Sequence, residues 1–469
     1  MLRCRSAVAK AGVREQVEME KLVSHLRDTG YVPLMRSAFA GACGVLGLPE
    51  PGDQLVAKAF SGWEPTSRYA MRPGRGAVIG EAFLCDDAVC LVSPHGREML
   101  RASVAAAGDA DEALARFCQD VERAIRARFD GRRVKGMDFT WRPPSQRELS
   151  YEMVRYSAER ADAYLRLVAA RQAKLQFREP EYSAQDLECS RFLVDDSARS
   201  FIVTLARVGK MRRKEAAEEA DAQALGRFLS IGLLRQEYLL TCRQDQHTIC
   251  VMPSRDAVKG EPTASLRCSV CGGAFPDENL QEIYSLTARA KNLLDGSLWM
   301  SVWLTELLVE NGVRREAVRW SLESQGEELD VMVEDFDSRV FFELKDREFG
   351  LGDAYPFVYR LTRYRGRIGV VATMDKVSPD AKAFFEEDVE RRDFPSEVRY
   401  LEGPATIETG IAALVREMSL SQVRTLLRPF YERLGFDLWP VVEARIGRWM
   451  GGASAAATAP TAEASAANA

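Results

Sequence analysis

The sequence predicts a multidomain chain of mixed α/β (α+β) class, and three observations point there. At 469 residues the chain has material for roughly two to four separate cores. Stretches with apolar residues three and four apart alternate with short runs of period-two alternation, so helices and strands both recur along its length. Proline and glycine punctuate these runs, most clearly at WRPPSQRELS, where the proline pair stops regular structure.

Composition narrows the function classes. The chain is 28% charged with a net charge of −5, so any nucleic-acid contact must rest on local patches and on bound cations. No apolar run reaches membrane-spanning length and the polar start, MLRCRSAVAKAGVREQ, does not read as a signal peptide, so a cytoplasmic protein without a membrane partner is expected. Ten scattered cysteines then read as thiols or metal ligands. Three histidines, His25, His95 and His247, leave little material for a Ser/His triad, and no glycine loop cradles phosphate.

Residues 1–150 read as an α+β domain of no recognised kind. It has a helix at VREQVEMEKLVSHLRD, strand-like pieces in GAVIGEAFLCDDAVCLV and a helix at DEALARFCQDVERAIRARF. Residues 151–194 read as a helical connector. Over 195–253 the pattern is helix, short helix, helix and hairpin, which resembles a winged helix with Gln244-Asp245-Gln246 at the wing tip. Arg227 is the cation of its third helix and a candidate nucleic-acid contact; a purely structural or protein-binding role is the alternative.

Residues 254–284 form a zinc-knuckle-like element. Cys268-Ser-Val-Cys271-Gly places two thiols at a spacing that can share one tetrahedral ion, and Gly272 permits the tight turn around it. Cys242 with Cys250, or with His247, would complete a structural zinc site.

Residues 285–404 carry the most informative stretch, EELDVMVEDFDSRVFFELK. Leu329, Val331 and Val333 alternate with Glu328, Asp330 and Met332; after a turn, Val340, Phe342 and Leu344 alternate with Phe341, Glu343 and Lys345. An apolar hairpin thus carries two carboxylates and an ammonium, which are costly to bury unless they pair or hold a cation. Asp330, Glu343 and the Leu344 carbonyl are hard oxygen donors suited to Mg2+ or Mn2+. Residues 405–450 read as helices packed on this domain, and the low-complexity stretch 451–469 as disordered.

Asp330 followed by Glu343-Leu344-Lys345 resembles the PD-(D/E)XK nuclease superfamily, although Leu329 stands where its proline would. The helix AKNLLDGSLWMSVWLTELLVENG before the hairpin, with the strand RIGVVAT and the helix SPDAKAFFEE after it, are similar to Mrr-type restriction endonucleases. The resemblance implies a restriction-endonuclease-like mixed sheet flanked by helices. It implies Asp330, Glu343 and Lys345 as catalytic residues, Glu306 as a further metal ligand, and Lys345 as the group orienting the attacking water. Where Mrr-type members often carry a glutamine, this chain offers Arg360, Arg363 and Arg365; Arg360 and Arg363 become expected nucleic-acid contacts.

The expected function is therefore that of a metal-dependent endonuclease acting on nucleic acid, DNA in the first instance, in restriction or anti-phage defence. A homodimer or a partner protein is compatible with cutting both strands. Two alternatives stand beside it: a non-catalytic DNA-binding or adaptor protein with a nuclease-like fold, and an RNase or a nuclease gated by a ligand or partner at the N-terminal domain.

Overall fold

The computed structural model describes residues 2–11, 13, 15–49, 52, 54, 56–57, 78–85, 88–95, 99–129, 134, 137–144, 176–324, 327–335, 338–364, 366–389, 397–434, 438–440, 442–444 and 446. The chain is of mixed α/β class and divides into two units: Met1–Lys174 with Glu334–Ser338 and Ile411–Ala469, and Leu175–Val333 with Arg339–Gly410. Among the described residues no helix is long and apolar enough to cross a membrane. Of the connector read over 151–194, residues 151–175 lie outside the described residues, as does the tail over 451–469; its described part holds a strand, Gln176–Arg178, as well as a helix, Ala184–Leu193.

The first unit contains β1 (Arg3–Lys10), α1 (Gln16–Asp28), β2 (Val32–Pro33), α2 (Leu34–Val45), β3 (Glu81–Leu84), β4 (Ala88–His95), β5 (Met99–Ala106), α3 (Ala110–Arg128) and β6 (Asp138–Arg142). Its strands form one antiparallel sheet in the order β2-β3-β4-β5-β1-β6. Period-two alternation gives the sheet two apolar faces. Cys90 and Val92 of β4 with Ala102 and Val104 of β5 pack against Leu22 and Leu26 of α1 and Phe117 and Val121 of α3. Val89 and Leu91 of β4 point the other way, where they pack with Val423, Leu427, Leu438 and Val442. The stretch from Leu420 to Ile446 therefore packs on the N-terminal sheet, while the start of the segment read as 405–450 stays with the preceding unit, Gly410 lying close against Leu401.

One ionic cluster is sealed inside this unit. Arg36 bonds Glu20 at 2.6 Å and Glu81 at 3.4 Å, and the Glu81 carboxylate also accepts the backbone N–H groups of Met35 and Arg36 at the start of α2, each at 3.0 Å. All three side chains are buried, so the mutual pairing is what makes the burial of charge tolerable.

The second unit runs β7 (Gln176–Arg178), α4 (Ala184–Leu193), α5 (Asp196–Val208), β8 (Lys210–Arg212), α6 (Arg213–Glu219), α7 (Ala222–Ser230), β9 (Leu234–Thr241), β10 (Thr248–Met252), β11 (Asn279–Leu286), α8 (Ala288–Leu294), α9 (Leu298–Glu310), β12 (Val318–Ser324), β13 (Glu327–Asp335), β14 (Ser338–Lys345), α10 (Leu351–Tyr364), β15 (Ile368–Thr373), α11 (Pro379–Val389), β16 (Glu397–Glu402) and the start of α12 (Pro404–Leu434). Asp195 and Asp221 cap α5 and α7 by accepting the N–H of Ala198 and Ala224.

A four-stranded antiparallel sheet has the order β10-β9-β11-β8. β11 pairs with both β9 and β8, so residues 242–278 form an excursion between two strands of one sheet. The boundary that the sequence reading set between 284 and 285 falls inside β11, because the partners of that strand lie more than thirty residues upstream, where local periodicity carries no information.

The larger sheet has the order β16-β15-β14-β13-β12-β7. β14, β15 and β16 run parallel, whereas β12 is antiparallel to β13 and to β7. Phe357 and Leu361 of α10 and Phe385 of α11 pack with Met332, Phe341 and Val371 on one face. Gly369 on β15 allows the close approach, since a Cβ there would sit 2.6 Å from Leu361. On α9 the Thr305 hydroxyl accepts the indole N–H of Trp320 on β12 at 2.8 Å, so the two elements are tied within the core.

Candidate functional site

Two clusters in the second unit carry chemistry. The first lies on β13 and β14, which are neighbours in the sheet. Phe341 belongs to the face covered by α10, and Glu343, two residues on, points to the same side. Glu343 is 3% exposed. Its Oε1 accepts from Lys345 Nζ at 3.0 Å and its Oε2 from Arg360 Nη1 of α10 at 2.7 Å. Asp330 Oδ2 accepts the backbone N–H of Leu344 at 2.6 Å, which fixes this carboxylate beside the Glu343-Leu344-Lys345 segment. Burial alone would lower the Lys345 pKa, but Glu343 and Asp330 outweigh it and raise the pKa, so the ammonium is held charged.

Asp330, Glu343, Leu344 and Lys345 are therefore brought together. Glu306 is not part of that set. Its carboxylate accepts the Tyr182 hydroxyl and pairs with Arg315, Tyr182 stacks on Trp320, and Arg315 lies over the Tyr182 ring. Among the described residues, no group of ligand atoms within 4.8 Å of one another joins Glu306 to Asp330 and Glu343. The expected third metal ligand is instead satisfied by an aromatic and ionic cluster of its own.

Two of the basic residues read as nucleic-acid contacts are paired with carboxylates. Arg360 is a counter-ion of Glu343, with its side chain 14% exposed, and its Nε is buried without a hydrogen bond. Arg227 pairs with Glu188 at 2.8 Å on the surface. The Arg363 side chain lies outside the described residues.

The second cluster lies in the excursion between β9 and β11. One donor atom from each of Cys242, Cys268, Cys271 and Glu278 falls within 4.8 Å of all the others, and the same holds for Cys242, Asp245 and His247. His247 Nδ1 meets Asp245 Oδ1 at 2.5 Å, and its Nε2 faces Cys268 Sγ at 3.7 Å. Cys271 Sγ donates to Glu278 Oε1 at 2.8 Å, while Glu278 Oε2 accepts the N–H of Arg243 at 2.6 Å. That thiol hydrogen bond pushes Cys271 up to about 12, whereas the N–H groups of Cys271 and Val270 lower the pKa of Cys268. The Asp245 hydrogen bond raises the pKa of His247. A possible metal-binding cluster of cysteines with a carboxylate and an imidazole is thus present.

Cys250, expected among the zinc ligands, lies outside both groups. It packs against the cluster of Leu240, Val258 and Phe275, where burial raises its pKa. It sits on β10, beyond the turn that holds Cys242, and its register turns it toward apolar neighbours. Glu278 was missed by the sequence reading, since no ligand spacing rule connects it to Cys271. Arg360 was read as a nucleic-acid contact because a helix position cannot be matched to a strand carboxylate seventeen residues earlier without the fold.

No family model matches the chain, and no curated protein matches it. Among solved structures, the chain is similar to the crystal structure of protein VC1899 from Vibrio cholerae at 9% identity and a TM-score of 0.30, over 55% of this chain. The chain spans 62% of that protein's length.

Proposed function

We propose that this chain is a metal-dependent endonuclease, with Asp330, Glu343 and Lys345 as its catalytic residues and DNA as its substrate. The observation that carries the reading is the convergence of one carboxylate from β13 with a carboxylate and an ammonium from β14, tied by the Asp330 to Leu344 hydrogen bond. The order helix, three strands, helix, strand over α9, β12, β13, β14, α10 and β15 is also the order expected of a restriction-endonuclease-like domain, and the element order over α5 to β11 suits a winged helix. Two carboxylates are a hard donor set that fits Mg2+ or Mn2+. Bound there, the ion would supply Lewis-acid stabilisation of charge on the scissile phosphate. Asp330 and Glu343 would hold it, and the Lys345 ammonium, kept charged by both carboxylates, would orient the attacking water and face the developing negative charge.

A role in restriction or anti-phage defence and assembly as a homodimer follow from the same reading. The three thiols Cys242, Cys268 and Cys271 suit a structural zinc ion. A second reading, a binding protein with a nuclease-like fold, is favoured by one observation: both oxygens of Glu343 already carry cationic partners. Cleavage of duplex DNA with Mn2+ or Mg2+, lost with EDTA and in Glu343→Ala, supports the nuclease; Mn2+ binding by the wild type without cleavage of DNA or RNA supports the binding protein.

A further inference from the structure

The excursion between β9 and β11 contains two turns built to one pattern. In the second, Cys268 N donates to Gly273 O at 2.8 Å and Gly272 N to Cys268 O at 2.9 Å. In the first, Cys242 N donates to His247 O at 2.9 Å and Gln246 N to Cys242 O at 2.9 Å. Sulfur acceptors match as well: Gln244 N donates to Cys242 Sγ at 3.4 Å, and Val270 N to Cys268 Sγ. Gln246 has φ 64° and Gly272 has φ 70°, so both turns close through a left-handed residue, one of them not a glycine. At the remaining position Gly273 N donates to Cys271 Sγ at 3.3 Å and His247 N to Asp245 Oδ1 at 3.1 Å. Asp245 therefore stands where a paired knuckle would carry its second cysteine.

From this equivalence we infer that the cluster is a closed two-knuckle zinc site whose ligands are Cys242, Cys268, Cys271 and His247 Nε2, with Asp245 as the carboxylate that orients the imidazole. The inference rests on the zinc proposed above and is independent of the nuclease. Glu278 lies within 4.8 Å of all three thiols, whereas His247 groups with Cys242 and Asp245; the choice of fourth ligand between them rests on the contact each makes with one thiol. With Zn–S about 2.3 Å and Zn–N or Zn–O about 2.0–2.2 Å, two ligands on a tetrahedron lie roughly 3.6 Å apart. His247 Nε2 and Cys268 Sγ are 3.7 Å apart, one such edge. Cys271 Sγ and Glu278 Oε1 are 2.8 Å apart, a hydrogen bond and too short for an edge. Glu278 holds Arg243 N of one knuckle and the Cys271 thiol of the other, so its role is to tie the knuckles together. Asp245 on Nδ1 leaves Nε2 directed at the Cys268 thiol, the usual way a carboxylate sets a metal-binding histidine.

The test is Co2+ titration of the metal-free full chain, read by thiolate charge-transfer and tetrahedral d–d absorption. The wild type takes up one Co2+, His247→Ala binds at least about tenfold more weakly, and Cys250→Ser keeps affinity and spectrum. Glu278→Gln retains the spectral type. Asp245→Cys on the His247→Ala background restores binding with the spectrum of a fourth thiolate, which a misfolded knuckle could not do. No uptake by the wild type overturns the zinc itself. Unchanged binding in His247→Ala, or its loss in Cys250→Ser or Glu278→Gln with His247 intact, overturns the ligand assignment alone, as does failure of the Asp245→Cys rescue.

Discussion

Replacing Arg360 with Met probes the charge balance of the acidic site. The guanidinium lies 2.7 Å from Glu343 Oε2, with the two side chains 14% and 4% exposed. At an effective dielectric near 20, this contact has a gross attraction of about 6 kcal/mol, from which the cost of desolvating the arginine must be subtracted. Removing one partner of a buried pair costs roughly 3–5 kcal/mol. Lys345 still compensates Glu343 from 3.0 Å, so a net loss at or just below the lower end of that range, about 2–3 kcal/mol, is expected. The same change should improve metal binding, because a divalent ion competes with Arg360 for the Glu343 carboxylate. At Mn2+ one hundredfold above its Kd, the ion returns about 2.7 kcal/mol. Thermal unfolding with and without Mn2+, paired with calorimetric Mn2+ titration, reads both effects. A variant as stable as the wild type without metal, or one binding Mn2+ no more tightly, refutes the competition.

Three further outcomes follow. Glu306→Gln should leave Mn2+ affinity within about twofold, since its partners are Tyr182 and Arg315, while lowering stability by about 1 kcal/mol; a tenfold loss of affinity would return Glu306 to the metal site. Glu81→Ala should destabilise the first unit by about 3–5 kcal/mol, because it strips Arg36 of a fully buried partner and orphans two N–H groups at the start of α2; a loss below about 1 kcal/mol contradicts this. Burial raises the Asp353 pKa, but the Arg347 and Gly350 hydrogen bonds outweigh it and hold the pKa below the ordinary value. The stabilisation from Asp353 is therefore present above about pH 4, its unfolded value, and is lost as pH falls through the depressed value. Asp353→Asn should flatten that acid limb in melts recorded from pH 6 to pH 2, and an unchanged limb refutes the assignment.

How far the sequence could be read depended on whether a signal was local. The β13 and β14 hairpin was legible because strict alternation puts Asp330 and Glu343 on the same face as Met332 and Phe341, and the protein folds that stretch as two neighbouring strands. The Cys268 to Cys271 turn was legible from spacing, and the turn at Gln244-Asp245-Gln246 from its polarity. Partners distant in sequence were not. Cys250 turned out to lie away from the thiols and Glu278 beside them, because strand register and the path of the loop, which spacing does not encode, decide which side chain faces the thiols. Glu306 sits on a helix whose pattern is apolar nearly all round, so its sequence gave no sign that Tyr182 and Arg315 would claim the carboxylate. The C-terminal helices have an evident apolar stripe, but a stripe does not say which sheet it covers, and from Leu420 on it covers the N-terminal one.

The central claim is that Asp330, Glu343 and Lys345 form a metal-dependent phosphodiesterase site, and the most direct measurement is cleavage. Wild type and Glu343→Ala should be incubated with plasmid, linear duplex, single-stranded DNA and RNA, with Mg2+, Mn2+ or EDTA, alongside a check that the variant retains its fold. The account predicts metal-dependent cutting of duplex DNA by the wild type and none by the variant. Cutting that survives in folded Glu343→Ala, or wild-type protein that binds Mn2+ and cuts none of these polymers, would contradict it.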